Sequence, residues 1–425
     1  MLRSGIPVQV AEGGHDPARE GAREYAHLEV VGCPAQPGGN GLGKQADGLP
    51  DVLRLGRAQV GNGPDEFPAL LLLVAVEMGQ AEFDGAAQGL DHRQVIRLRG
   101  EGYQPDRDLI LLLTADEEAG PDNGAKWLVE HRPELFQNVE FVVNLDAGGV
   151  NLQAGKPLSV TYEAAEKTYA DFELSAHDAG GHSSQPRLED PILRLSNALV
   201  RLQASPFPLE LNGVARGFLT MEVAAYSASM QTLVHAALAT PADPHALAQL
   251  AASSPFMNAL LRTTCTPTRF EGGQARNALP ELAKANINCR ILPGHSPLEV
   301  EQHITSAVND SHVAIQYCSS GGVCGPAPST AGLPAGAPIP LVLDALTNAS
   351  AKVYPGVPLV PEMETGASDS VYTMHAGIPS YGISGVGIDE DDIRAHGKDE
   401  RLRVFSLDDG LQFFYLFLRE IGSSK

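Results

Sequence analysis

Between Leu109 and Gly120 the chain reads LILLLTADEEAG, an apolar run that passes directly into Asp116, Glu117 and Glu118. GAKWLVEHRPELF follows, helical in pattern up to Pro133, and then VEFVVNLDAGG, a second apolar run that ends in Asp146 and two glycines. Strand, helix and strand at this spacing make a βαβ unit, which requires a parallel sheet covered on both faces. The predicted class is therefore α/β, with a mixed, mainly parallel sheet and helices on both sides. Ligands of such sheets bind beyond the carboxyl ends of the strands, so the acids at these two ends stand where chemistry is done.

Glu117, Glu118 and Asp146 brought into one pocket would repel each other unless a cation neutralised them. Oxygen donors joined by a histidine suit zinc, and also manganese or cobalt. The histidine expected to join them is His396 in DIRAHGKDERLRV, a polar loop ahead of the last helix. Two acids after a strand also suit a helix N-terminus, where negative charge meets the dipole, so the acids alone do not decide the matter.

The rest of the chain divides by texture. The first hundred residues are rich in Gly, Arg and Pro and show few clean periods, apart from FPALLLLVAV at 67 to 76, which reads as a core element. Between about 158 and 293, YADFELSA, FLTMEVAAY and AKANINCRIL read as strands and PILRLSNALVRLQ as a helix, the pattern of a smaller α+β insertion. LVLDALTNASAKVY and LDDGLQFFYLFLREIG read as late helices, with PSYGISG as a strand or turn between them. The expected domains are thus 1–157 with 294–425, and 158–293 inserted between them.

A formal charge of −22 disfavours nucleic acid and anionic membranes as partners. No segment reaches the ~20 apolar residues of a membrane span, and no basic-then-apolar leader opens the sequence, so a cytoplasmic location is the default expectation. The five cysteines, at 33, 265, 289, 318 and 324, form no CxxC pattern and no paired framework; Cys318 and Cys324 could bridge a Gly-rich loop, but reduced thiols are expected.

Read in order, TADEEAGPDNGAKWLV, NLDAGG, AGGHSSQPRLEDPI, GGQARNALPELAKANINCRILPG, METGASDSVY and AHGKDERL resemble the M20 metallopeptidases. These di-metal amidohydrolases include carboxypeptidase S-like enzymes, aminoacylases and deacylases. The resemblance covers about 95 to 425 and implies a di-zinc peptidase-like fold with an inserted lid that also forms a homodimer. It implies two Zn2+ per subunit, with Co2+ or Mn2+ as substitutes, and hydrolysis of an amide bond in a small peptide or N-acyl amino acid. Glu117 is then the general base acting on metal-bound water, Glu118 and His396 hold one metal, and Asp146 holds the other. His182 in GGHSS stabilises the oxyanion, often in a partner subunit's site. Asn277, Arg290, Gly366 and Ser368 match substrate-contacting positions, Arg290 matching a hinge ion pair equally well.

Upstream the pattern departs from the family. The expected G-H-x-D-V and G-R-G-x-x-D-x-K motifs are absent. Asp84 in AEFDG stands near the position of the bridging aspartate, whereas His27 in AHLEVVGCP lies too far upstream to pair with it. Two readings follow: an active amidohydrolase, or a chain of that ancestry that no longer catalyses because residues 1 to 95 are not an authentic half-domain. In the second case, strands that should cover Leu111, Leu113 and Val142 would be missing.

Overall fold

The computed structural model describes residues 52–55, 69–75, 89–114, 123–319, 322–332, 338–389, 391–394, 399 and 401–423. β1 (Val52–Leu55) and β2 (Ala69–Ala75) precede helix α1 (Gly89–Gly100), β3 (Leu109–Thr114) and α2 (Gly124–His131). A 3-10 turn at Pro133–Phe136 leads to β4 (Val139–Asn144), β5 (Gly149–Gln153) and the long β6 (Lys156–Glu166). The first sheet runs β1, β3, β2, β4, and β2 is parallel to both β3 and β4.

This placement corrects the expectation of missing strands. Leu72 and Val74 of β2 stand opposite Leu111 and Leu113, and Leu71 opposite Val142. The segment from the atypical N-terminal region is a central strand, and β1 closes the edge antiparallel to β3. β2 lies within FPALLLLVAV, the run read as a core element, whose unbroken apolar sequence has no alternation to mark it as a strand.

Alternation does appear in what covers β3 and β4. Leu109, Leu111, Phe141 and Val143 face one core, and Ile110, Leu112 and Val142 the other, as period-two side chains must. Ala125 and Leu128 of α2 fill the second core.

β7 (Thr168–His177) opens a separate five-stranded sheet, and β8 (Gly181–His182) follows it. α3 (Pro191–Gln203) then packs Leu195, Ala198 and Leu202 on that sheet. The next four helices, α4 (Gly213–Glu222), α5 (Ala228–Leu238), α6 (Pro244–Ser253) and α7 (Pro255–Leu261), leave it. They join the core of the first sheet through Val214, Phe218, Leu250 and Leu260. FLTMEVAAY, read above as a strand, is the end of α4 and a 3-10 turn. Asn212 caps that helix, and Val214, Ala215, Phe218 and Leu219 are buried at helical spacing, so tertiary burial overrides β propensity.

β9 (Thr264–Gly272), β10 (Ala278–Leu279) and β11 (Leu282–Ile291) return to the smaller domain, and α8 (Pro297–Val308), β12 (Val313–Cys318) and β13 (Cys324–Gly325) stay in it. The expected limits of 158 and 293 therefore need correction. β6 belongs to the large sheet, and the lid continues past 293 because β12 pairs with β7.

The cysteines are corrected too. Cys265 and Cys289 are opposite residues of β9 and β11, Cys318 and Cys324 of β12 and β13, and both pairs are disulfides. Cross-strand register brings their Cα atoms within 4.0 and 3.9 Å, and only the Cys265–Cys289 pairing is without a signal in sequence spacing.

α9 (Pro340–Val353), β14 (Leu359–Glu364), α10 (Ser370–His375), β15 (Ser380–Gly382), β16 (Gly387–Asp389) and α11 (Val404–Ile421) complete the large domain. β15 adds parallel to β4, β14 parallel to β6, and β16 parallel to β5. α11 buries Phe413, Phe414 and Phe417 in the first core. Among the described residues no helix is long and apolar enough to cross a membrane.

Candidate active site

Parallel pairing brings the last residues of β2 and β3, Ala75 and Thr114, side by side, and β4 ends next to them at Asn144. The loop after β14 reaches these ends. The Asp369 carboxylate accepts the Thr114 hydroxyl at 2.9 Å and the Asn123 amide at 2.5 Å. Asn144 donates to Ser368 Oγ at 2.9 Å and to Ser370 Oγ at 3.1 Å, and its own Oδ1 accepts the Asp146 backbone N–H. Ser368 in turn donates its N–H and hydroxyl to Glu166. All six side chains from Thr114 to Ser370 in this network, and Glu166, are buried.

Asp146 itself is exposed. Beneath it the charge is one-sided. Glu163 is 1% exposed, and among the described residues neither of its carboxylate oxygens has a hydrogen-bond partner. Burial pushes its pKa well above the carboxylate range, with Glu166, Glu364, Asp146 and Glu362 adding to the effect. Burial likewise raises Glu166, against the opposing hydrogen bonds from Ser368. An orphaned buried carboxylate beside further acids is an environment that a divalent cation relieves. Among the described residues no three His, Cys, Asp or Glu side chains are grouped to hold one.

The remaining expected donors, Asp84, Glu118 and His396, lie outside the described residues, as does the expected base Glu117. Their flanks are informative. Thr114 and Asn123 border the acidic segment, and Asn123 also caps α2 by accepting from the Lys126 N–H. Around the His396 loop, Asp392 accepts from both Arg394 and Arg401, and Arg394 pairs with Asp399.

In the lid, His182 and Asn277 are brought together. β8 pairs with β10, the Ser183 N–H donates to the Asn277 carbonyl, and both side chains are exposed. The His182 ring is held by Ser184 Oγ at 2.8 Å from Nδ1. Arg290 is not near them. It stands opposite Tyr169 at the other end of β11, its guanidinium 4.9 Å from the Tyr169 ring centre, whereas Leu282 stands opposite His177. The eight-residue run between those pairs spans ~27 Å at 3.4 Å per residue. Gly366 lies in the loop after β14, its N–H on Glu364. Ser368, expected to contact substrate, turns its hydroxyl inward to Glu166 and Asn144.

Lys167, at the crossing from β6 to β7, is fully buried and donates to the Arg262 carbonyl at 2.8 Å and Thr264 Oγ1 at 3.4 Å. Burial first, and then Arg290, lowers its pKa from 10.5 to about 7. Between those values the unfolded chain holds a proton that the folded chain has lost. Stability from this group should therefore rise with pH across that window, by up to ~1.4 kcal/mol per unit. Lys167→Met should flatten the rise in urea midpoints between pH 7 and 9.5. An unchanged slope would show that Lys167 does not titrate there.

Asn144, Asp369, Glu163 and Glu166 were missed by sequence reasoning. The available signal was a polar residue ending each apolar run, VEFVVN and TYEAAE, where a buried strand has no reason to carry one.

A mixed, largely parallel sheet with buried carboxylates near its strand ends and an inserted α+β lid defines an α/β protein of two domains. Residues 164–315 match the peptidase dimerisation domain of the M20 type. A probable carboxypeptidase S-like protein from Dictyostelium discoideum is 25% identical over 329 residues, covering 76% of this chain and 61% of that protein. An N-fatty-acyl-amino acid synthase/hydrolase from Xenopus tropicalis is 26% identical over 321 residues, covering 74% and 60%. The chain thus spans about 60% of the length of these curated relatives. In fold it is similar to an M20 family metallo-carboxypeptidase from Sulfolobus solfataricus, with a TM-score of 0.57 at 16% identity over 94% of this chain and 90% of that one. It is also similar to a di-peptidase from Saccharomyces cerevisiae, with a TM-score of 0.53 at 14% identity over 93% and 87%. The chain is thus similar to M20 peptidases over most of its length, and residues 164–315 match their dimerisation domain.

Proposed function

We propose that the protein hydrolyses the amide bond of an N-acyl amino acid or small peptide in a metal-dependent reaction. The observation that carries this reading is the excess of buried carboxylate near Asp146, on Glu163 and Glu166 of β6, with both Glu163 oxygens lacking a hydrogen-bond partner among the described residues. Glu118 and His396 would hold one Zn2+, Asp146 the other, and Asp84 would bridge them, with Co2+ or Mn2+ as substitutes. Bound metal polarises the scissile carbonyl and acidifies water. Glu117 takes the proton from the attacking water and delivers it to the leaving nitrogen. His182 donates to the developing oxyanion. Arg290, a planar donor fork, suits the substrate carboxylate, with Asn277 and Gly366 as further contacts.

The match of residues 164–315 to a dimerisation domain supports a homodimer in which each lid tip would serve its partner's site. Exposed Leu193, Val200 and Phe270, on α3 and edge strand β9, offer the apolar surface for it.

The test is metal analysis of the purified chain together with hydrolysis of N-acyl amino acids and dipeptides before and after chelation. Two Zn2+ per subunit, activity lost to chelator and regained with Zn2+ are the expected results. A chain that binds no metal and cleaves neither substrate class would overturn the proposal and leave the non-catalytic reading of the ancestry.

A further inference from the structure

We infer that Lys167 is a proton-operated clasp of the hinge between the two domains: with a neutral amine it holds the crossing segments together, and on taking up a proton it loosens them, so that the lid responds to pH. The inference concerns the hinge alone and is independent of the chemistry proposed above.

Three of the chain's crossings between the domains meet at this residue. β6 of the large sheet ends at Glu166 and β7 of the lid sheet starts at Thr168, so Lys167 is the whole of the first crossing. Leu261, at the end of α7, lies in the large core and β9 starts at Thr264 in the lid, so Arg262 and Thr263 make the second. In the third, Ile291 of β11 belongs to the lid core and Leu292 to the large one. Lys167 Nζ donates to the Arg262 carbonyl and to Thr264 Oγ1, which ties the first crossing to the second. The Leu292 N–H donates to Thr263 Oγ1 at 3.0 Å, which ties the third to the second, and Ile291 stands opposite Thr168. The Lys167 N–H anchors the assembly to the Glu364 carbonyl of β14.

Lys167 is 0% exposed, and its acceptors are a carbonyl and a hydroxyl, with no carboxylate paired to it among the described residues. The nearby acids are engaged elsewhere: Glu166 with Ser368, Glu364 with the Gly366 N–H, and Asp171 with the Tyr169 hydroxyl. Arg290 of β11 adds a second positive charge, and Arg262 has a buried Nε without a hydrogen-bond partner. Glu210, whose N–H bonds the Leu261 carbonyl, pairs with His295 beyond the third crossing. A dry ammonium beside another cation is costly, so either the proton or the closed hinge gives way. Opening returns the amine to water, where it binds a proton with its ordinary affinity. From 10.5 down to about 7, where burial and Arg290 place it in the closed hinge, each unit of falling pH therefore favours the open hinge by up to about tenfold.

The experiment is amide hydrogen exchange of the full chain between about pH 7 and 9.5, each rate divided by the intrinsic exchange rate at that pH. The Lys167 and Leu292 amides should be less protected than Phe141 of β4 and Ile287 of β11, because the hinge opens without unfolding the two cores. Their protection should rise with pH by up to about tenfold per unit. Lys167→Met should remove that slope. Lys167→Arg, which keeps its charge throughout, should stay weakly protected with no slope. His295→Gln should keep the wild-type slope. A flat wild-type profile, hinge protection equal to that of the cores, a slope retained in Lys167→Met or a slope lost in His295→Gln would each overturn the inference. If the Lys167 variants do not fold, the wild-type contrast between hinge and cores, together with His295→Gln, decides.

Discussion

Glu117→Gln is expected to lower kcat by ~10² to 10⁴-fold, the usual effect of removing a general base, while bound Zn2+ stays at the wild-type level. The amide is nearly isosteric with the carboxylate and keeps an acceptor, but it cannot take a proton from water at neutral pH. Because the base is assigned to water and not to the metal, metal content and rate should separate. Glu118→Ala should behave in the opposite way and lose metal. Steady-state kinetics beside metal analysis on the same preparations read both quantities. Wild-type turnover in Glu117→Gln would take Glu117 out of the mechanism, and full metal occupancy in Glu118→Ala would take Glu118 out of the ligand set.

His182→Ala should reduce kcat by ~10² to 10³-fold with little change in KM, since a donor to the oxyanion acts mainly in the transition state. The structure sharpens this expectation. His182 sits on the β8–β10 ribbon with its Nδ1 engaged by Ser184, which leaves Nε2 as the atom to face a ligand. Arg290 is carried at the far end of β11 from Leu282, about 27 Å along that strand. On the proposed reading the lid tip would serve a second subunit. Mixing His182→Ala with Glu117→Gln should then restore part of the activity, because one hybrid site has both an intact base and an intact lid histidine. If subunit exchange is shown by mass and no activity returns, each subunit completes its own site or His182 has another role.

Much of this molecule was legible before its structure was seen. The βαβ unit from Leu109 to Asn144 follows from local facts: unbroken apolar runs, a helical period between them, and a proline that ends it. The acids that follow these runs, Glu117, Glu118 and Asp146, are just as local in the sequence, and they are the candidates from which the proposed chemistry starts. The closing helix and the β7 and β11 strands of the lid are equally local, each written in its own period.

What only tertiary structure decided depends on residues far apart in the chain. Whether 69–75 is a central strand is settled by Leu71, Leu72 and Val74 finding partners in β3 and β4, not by anything in ALLLLVA. That FLTMEVAAY coils instead of extending is settled by the surface it covers, where Gly217 lies against Pro361 so closely that a Cβ would sit 2.7 Å from its ring. Both disulfides exist because antiparallel register sets the cysteines opposite each other. The Asp369 hub joins residues 255 and 246 positions apart, and the Asn144 contact spans 224. Sequence determines which segments can be strands and where their polar ends fall, since backbone periodicity and desolvation act over a few residues. It does not determine which ends meet, since that depends on the register of strands packed across one sheet.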